Sequence, residues 1–238
     1  KIAWSCIKPM ELIGEGAFGV VHLAIWDGTT KVALKLLKPG ALVDSESEDF
    51  QKEARIMQSL SHPNIVRFYG AGTKPADNTN AVTPFLVTEI LYDGTLRDLL
   101  EQRHQEFDWE QRRKFCADVA AAITYLHSRD PCVMHRDLKA ENCLAYRENT
   151  GFGLKVGDFG TVANQHTSDV RRRTLTNSAK ATLTPRPTTR EGSRTSRAIY
   201  KSRSKTTMQG TPMWMAPEVM VGKHGSSQYG LPCDVYSF

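Results

Sequence analysis

Between Met10 and Leu37 apolar and polar residues alternate at strand spacing, and Val20–Trp26 and Lys31–Leu37 flank Asp27-Gly28. Glycine accepts positive φ, so this dipeptide predicts a hairpin turn between two strands. The pattern then changes period. Short polar and acidic residues at Ser45–Asp49 suit a helix N-terminus, and Phe50, Glu53, Met57 and Leu60 follow at helical spacing. Glu53 therefore falls on the same inward stripe as three apolar residues, where a carboxylate is costly without a cation. Ile65–Tyr69 and Phe85–Ile90 predict two further strands joined by a polar loop from Thr73 to Ala81. From Asp108 the period becomes helical. Phe115, Val119, Ile123 and Leu126 share one face, and Asp108 and Gln111 have the spacing of a capping box. A strand-rich first third followed by a helical part predicts an α+β chain in two lobes, connected around Leu91–Gly94.

From about Gln165 to Thr207 no hydrophobic period survives, and Ser, Thr, Arg and Lys dominate. Such a composition buries too little surface to offset its ordering entropy, so a disordered segment is expected. It holds eleven Lys or Arg against Asp169 and Glu191, a net charge of +9, so the +5 of the whole chain leaves −4 for the remainder. The basic character thus belongs to one segment and not to the folded body. At 238 residues the chain can bury one large domain or two lobes. The most apolar helical stretch, Val119 to Leu126, is short and alanine-rich, so no membrane span is expected. Five scattered cysteines suggest reduced thiols and a cytoplasmic or nuclear compartment, without a zinc site.

Three motifs carry chemistry. Gly14-Glu15-Gly16-Ala17-Phe18-Gly19 lies between two predicted strands, where glycines let backbone amides approach phosphate oxygens. The strand–turn–strand setting argues against a dinucleotide fold, in which such a turn opens a helix. Val32-Ala33-Leu34-Lys35 follows on the next strand, and Lys35 in an apolar strand and Glu53 on a buried face each solve the other's problem. His135-Arg136-Asp137-Leu138-Lys139-Ala140-Glu141-Asn142 is followed sixteen residues after Asn142 by Asp158-Phe159-Gly160.

Together these residues resemble the protein kinases, whose glycine-rich loop, strand lysine, catalytic loop and Asp-Phe-Gly they match. The resemblance implies a bilobal kinase fold, with an antiparallel sheet lobe over residues 1–91 and a helical lobe over 92–238. It implies ATP and Mg2+ as cofactors, and Ser/Thr hydroxyls of protein substrates as acceptors. Asp137 would accept or orient the acceptor proton, and Lys139 would neutralise charge on the transferred phosphate. Lys35, paired with Glu53, would be aimed at the α- and β-phosphates, while Asn142 and Asp158 would hold the metal. Ile13, Gly14, Gly16, Gly19, Val21, Ala33 and Leu144 would line the nucleotide site. Thr88 would stand at the back of the adenine pocket, with backbone groups of Glu89 and Leu91 binding the base. His135 and Phe159 would stack against residues matching Met57 and Phe68. Arg136 would bind a phosphate placed on the activation segment by an upstream kinase, with Ser204, Thr206 and Thr207 suitably positioned. Lys139 and Gly210-Thr211-Pro212-Met213-Trp214-Met215-Ala216-Pro217-Glu218 fit the serine/threonine type, resembling the tyrosine-kinase-like and MAP-kinase-kinase-kinase kinases. Asp234 would begin the helix that anchors the catalytic loop.

The chain departs from this pattern twice. The segment from Asp158 to Glu218 is about twice the usual length, and the excess is the basic insert of 165–207. The insert lacks interleaved aromatics for base stacking, so nucleic acid is not the expected partner. The chain also stops at Phe238, where the resemblance implies further helices and an arginine partner for Glu218, so a truncated domain is expected. The rival reading from another class is a pseudokinase scaffold that binds without phosphoryl transfer.

Overall fold

The computed structural model describes residues 1–15, 19–37, 44–75, 82–160, 163–165, 211–220 and 230–238. Gly16, the 166–207 part of the insert, and Ser204, Thr206 and Thr207 within it lie outside the described residues. Asp27 and Gly28 take φ of 53° and 78°, the left-handed pair at the centre of the turn in which Thr29 N–H donates to Trp26 O at 3.3 Å. This turn joins β2 (Gly19–Trp26) to β3 (Thr30–Leu37). With β1 (Ile7–Glu15), β4 (Phe68–Pro75) and β5 (Val82–Glu89), they form an antiparallel sheet in the order β1-β2-β3-β5-β4.

Strand alternation gives this sheet two different faces. The outer one is a core of Val32, Leu34, Leu36, Phe85 and Val87, on which Ile2 and Trp4 pack. The inner one meets helix α1 (Asp44–Ser59), whose Phe50 and Met57 join a single apolar cluster reaching down into the helical part. That part contains α2 (Leu96–Arg103), α3 (Trp109–Ser128), strand β6 (Cys132–Met134) and the hairpin of β7 (Cys143–Arg147) with β8 (Phe152–Val156). β9 (Ala163–Gln165) pairs with β6. Two short helices, Pro217–Met220 and Pro232–Ser237, complete the described elements. The α+β, two-part fold is the one the pattern predicts, and no described helix is long and apolar enough to cross a membrane.

Local differences from the sequence reading have specific causes. Ile65 and Val66 do not open β4; they are buried against β8, where Val66 N–H donates to Val156 O at 3.0 Å and Val156 N–H to Asn64 O at 2.8 Å. β4 starts at Phe68 and runs on through Thr73, Lys74 and Pro75, because β5 begins earlier, at Val82, and pairs with them. Polar side chains there face water on an edge strand, which hides the strand from a hydrophobicity pattern.

Asp108 caps α3 by accepting from Gln111 N–H at 2.8 Å, but the reciprocal half of the expected box is missing. The Gln111 amide instead clamps Phe152, donating to its carbonyl at 2.8 Å and accepting its N–H at 3.0 Å. Asp118 accepts Leu154 N–H at 2.9 Å, and Asn64 donates to Leu154 O at 3.0 Å. Side chains thus complete the outer edge of β8, a two-stranded ribbon that would otherwise expose its backbone groups. The closed capping box occurs at α2, between Thr95 and Asp98, where the sequence reading predicted no helix.

Candidate active site

A cleft of about 660 Å3 lies between the sheet and the helical part. Its roof includes Ile13 and Gly14 of β1, Gly19 and Val21 of β2, and Ala33 and Lys35 of β3. Its back and rim include Thr88, Glu89 and Leu91, and its floor includes Leu144, Asn142 and Asp158. Every described residue expected at the nucleotide therefore borders one cavity, which is mainly apolar with a polar end, as small-molecule sites are. Antiparallel register explains part of this: Val21 pairs with Lys35, and Ala33 with Thr88, so the roof residues project to one side of the sheet.

The polar end is built on one cation and two carboxylates. Lys35 Nζ lies 2.9 Å and 3.2 Å from the two Glu53 oxygens and 3.1 Å from Asp158 Oδ1. Glu53 is buried on the inward face of α1, as its spacing with Phe50 and Met57 predicts. Burial disfavours the Lys35 ammonium, but the two carboxylates outweigh it and hold its pKa above the ordinary lysine value. Burial pushes the Glu53 carboxyl up, against the pull of Lys35. Burial would also raise Asp158, yet attraction to Lys35 and its hydrogen bond keep that carboxyl below the usual range. Asp158 takes φ of 56°, a left-handed backbone unusual for a residue with a side chain.

Below this cluster, Asp137 and Lys139 stand 3.0 Å apart. Asp137 Oδ1 accepts both the N–H and the hydroxyl of Thr211 at 2.8 Å, and Lys139 Nζ donates to that hydroxyl at 2.7 Å. Asn142 donates its amide nitrogen to Asp137 O at 2.7 Å and to Asp137 Oδ2 at 3.2 Å. Its amide oxygen, the end suited to a hard cation, is not spent on these contacts. An amide oxygen and a carboxylate on the cleft floor are donors of the type Mg2+ prefers, so Asn142 and Asp158 fit the expected metal pair.

Asp234 holds this loop in place. Fully buried, it accepts His135 N–H at 2.9 Å and Arg136 N–H at 2.8 Å, and its Oδ2 lies 2.8 Å from His127 Nε2. These bonds support Arg136 at φ of 67°, a conformation that costs of order 1 kcal/mol when left alone. His135 is buried edge-on to Phe159 at 5.3 Å between ring centroids, and its Nε2 lies 2.9 Å from Gly157 O. It is thus a packing residue beneath the site, against Phe159, which shares one apolar cluster with Met57 and Phe68.

Burial would raise the Asp234 carboxyl, but His127 and the two backbone N–H groups hold it below the usual carboxylate range. Its stabilising effect is therefore complete above the unfolded carboxylate value and is lost as pH falls through the lower folded one, below about pH 4. Asp234→Ala strands two buried N–H groups. It should cost about 3 kcal/mol in urea unfolding at neutral pH, and that difference from the parent should shrink in strong acid.

The sequence reading omitted several cleft residues. Met57, Val66 and Leu86 border the cavity from α1, the 60–67 segment and β5. They read as ordinary core positions, and only the tertiary fold turns them to the cavity. Gly94, Thr95 and Asp98 line the rim, where Asp98 accepts from Thr95 N–H at 2.8 Å. That part had a legible signal, the Thr-x-x-Asp spacing of a capping box.

A five-stranded antiparallel sheet with one long helix, a helical part beneath it, and a cleft ending in a Lys–Glu–Asp cluster define a protein kinase domain. Residues 7–185 match the family model described as protein tyrosine and serine/threonine kinase. The chain is 33% identical over its whole length to the probable serine/threonine-protein kinase SIS8 of Arabidopsis thaliana. It is 34% identical over its whole length to the serine/threonine-protein kinase CTR1 of the same plant. Over 95% of its length it is 34% identical to the probable serine/threonine-protein kinase drkD of Dictyostelium discoideum. The chain belongs to the eukaryotic protein kinases and is a domain of their serine/threonine type. It spans 18%, 23% and 14% of the lengths of these three relatives, respectively.

Proposed function

We propose that the chain transfers the γ-phosphate of ATP to Ser or Thr hydroxyls of protein substrates, using Mg2+. The observation that carries this reading is the convergence of Lys35, Glu53 and Asp158 within 3.2 Å at the cleft's polar end, next to the Asp137–Lys139 pair. Lys35, kept cationic by its two carboxylates, is suited to the α- and β-phosphates, and Glu53 aims it. Ala33, Val21, Ile13 and Leu144 supply apolar surface for the base, with Thr88 behind it and the backbone of Glu89 and Leu91 at its edge. Gly14, Gly16 and Gly19 allow backbone amides near the phosphates. Asn142 and Asp158 would hold Mg2+, which would supply positive charge to offset that of the phosphates.

Asp137 receives or orients the proton of the acceptor hydroxyl, and Lys139 offsets charge on the phosphate in transit. The Thr211 hydroxyl, held between these two groups, has the chemistry of the acceptor, which favours Ser/Thr over the longer tyrosine. The same reading takes residues 1–91 and 92–238 as the two lobes, a cytoplasmic setting, and an upstream kinase acting on the 165–207 insert toward Arg136. All five of Lys35, Glu53, Asp137, Asn142 and Asp158 are retained, which favours an enzyme over a scaffold.

The test is transfer of labelled γ-phosphate from Mg-ATP to a generic Ser/Thr protein substrate, with and without EDTA. Transfer that disappears on chelation is expected. A folded, phosphorylated protein that binds nucleotide yet transfers nothing would replace this reading with the scaffold.

A further inference from the structure

Glu89 closes β5 on the cleft rim, and its side chain points away from the polar end of the site into a separate set of contacts. Its Oε1 accepts Arg67 N–H at 2.7 Å, and Lys155 Nζ lies 2.7 Å and 2.8 Å from its two carboxylate oxygens. The Glu89 N–H in turn donates to Arg67 O at 2.9 Å, so main chain and side chain grip the same residue. Lys155 sits on β8, three residues before Asp158. The neighbouring Val156 exchanges backbone hydrogen bonds with Asn64 and Val66, which lead directly to Arg67. The contacts make a closed ring: rim residue Glu89, the 64–67 segment, β8, Lys155, and back to Glu89. Both charged side chains are over four-fifths buried, at 17% and 18% exposure, so the pair is shielded from screening.

We propose that Lys155 is a positioning residue of the nucleotide site, acting through Glu89. The ring joins the strand that carries the base-binding rim to the strand that leads into Asp158, and so ties the roof of the cleft to its floor outside the 90–95 connection. Lys155 does not border the cavity and touches no reacting group. Its effect is to keep the Glu89 carboxylate on Arg67, which holds the main chain of Glu89 and Leu91 in the setting the base requires. The proposal rests on the nucleotide reading above.

Without Lys155, the Glu89 carboxylate is left largely buried with no cation, and such a group swings toward water or loosens its surroundings. Lys155→Met in the full chain should therefore raise KM for ATP about five- to tenfold, with kcat changed less than about twofold. Lys155→Arg should keep KM near the parent value. The double variant Glu89→Gln with Lys155→Met should recover most of the loss, because an amide oxygen still accepts Arg67 N–H and no buried charge remains.

Deuterium exchange supplies an arm that needs no nucleotide: Lys155→Met should speed exchange at the Arg67 and Glu89 amides, which bond to Glu89 Oε1 and Arg67 O, and the double variant should slow it again. Unchanged KM, a fall in kcat alone, a gain in activity, or unaltered exchange at Arg67 would each overturn the proposal. If the parent protein neither binds ATP nor transfers phosphate, the nucleotide reading fails, and the exchange arm still decides whether the ring sets the rim.

Discussion

Asp137→Asn should lower kcat by about 10²–10⁴-fold while leaving KM for ATP within about threefold of the parent. The substitution keeps the shape of the side chain, so its oxygen can still accept Thr211 N–H, a bond of 2.8 Å in the parent. The Asn142 bond to the Asp137 carbonyl, 2.7 Å, is untouched because it uses the main chain. What disappears is the negative charge that Lys139 faces at 3.0 Å and the capacity to take a proton. The cleft proposed for nucleotide does not include Asp137 among its lining residues, which is why KM should hardly move. The measurement is the labelled-phosphate assay beside ATP binding by fluorescence. Retained turnover at more than about a tenth of the parent rate would remove Asp137 from the centre of the mechanism.

Lys35→Met should have the second largest effect, and it should damage both activity and stability. Phosphoryl transfer loses the cation aimed at the α- and β-phosphates, so kcat/KM should fall about 10²-fold or more. Stability falls for a different reason. Glu53 is buried, and its partner 2.9 Å away is the cation that makes this tolerable. Removing one partner of a mostly buried pair costs roughly 3 kcal/mol, because the other charge is left uncompensated. Lys35→Met with Glu53→Gln removes that stranded charge. It should regain most of the urea stability and none of the activity, separating the two contributions.

The acid limb should change as well. Attraction to Lys35 holds Asp158 below the usual carboxylate range in the parent, a stabilisation present at neutral pH and lost as pH falls through the folded value. Lys35→Met should therefore show a flatter loss of stability between about pH 5 and pH 2. A slope equal to that of the parent would mean that Asp158 and Lys35 are not coupled in solution.

The elements that were legible in advance are those whose physics is local. Asp27-Gly28 announced its hairpin because the turn needs two successive residues tolerant of positive φ. The stripe Phe50, Glu53, Met57 announced both the helix and its need for a cation, and Lys35 supplies it from β3. The α3 face of Phe115, Val119, Ile123 and Leu126 is buried as its period requires. Where the reading failed, a long-range partner overruled a local pattern. Val66 has strand composition but spends its N–H on β8, and the Gln111 side chain clamps Phe152 instead of closing the capping box. The 73–75 stretch is polar yet extended because β5 pairs with it.

By itself the sequence determined the order of the first strands, α1 and α3, the identity of the charged and glycine residues, and the resemblance those residues carry. Each of these depends on neighbours within a few positions or on motif spacing. Only the tertiary structure decided which carboxylate meets which cation. Lys35 reaches Asp158 across 123 positions, Asp234 holds His135 N–H across 99, and Lys155 takes Glu89 across 66. Such pairs form because a charge removed from water needs a partner within hydrogen-bond reach, and the packing of sheet on helices selects which one arrives.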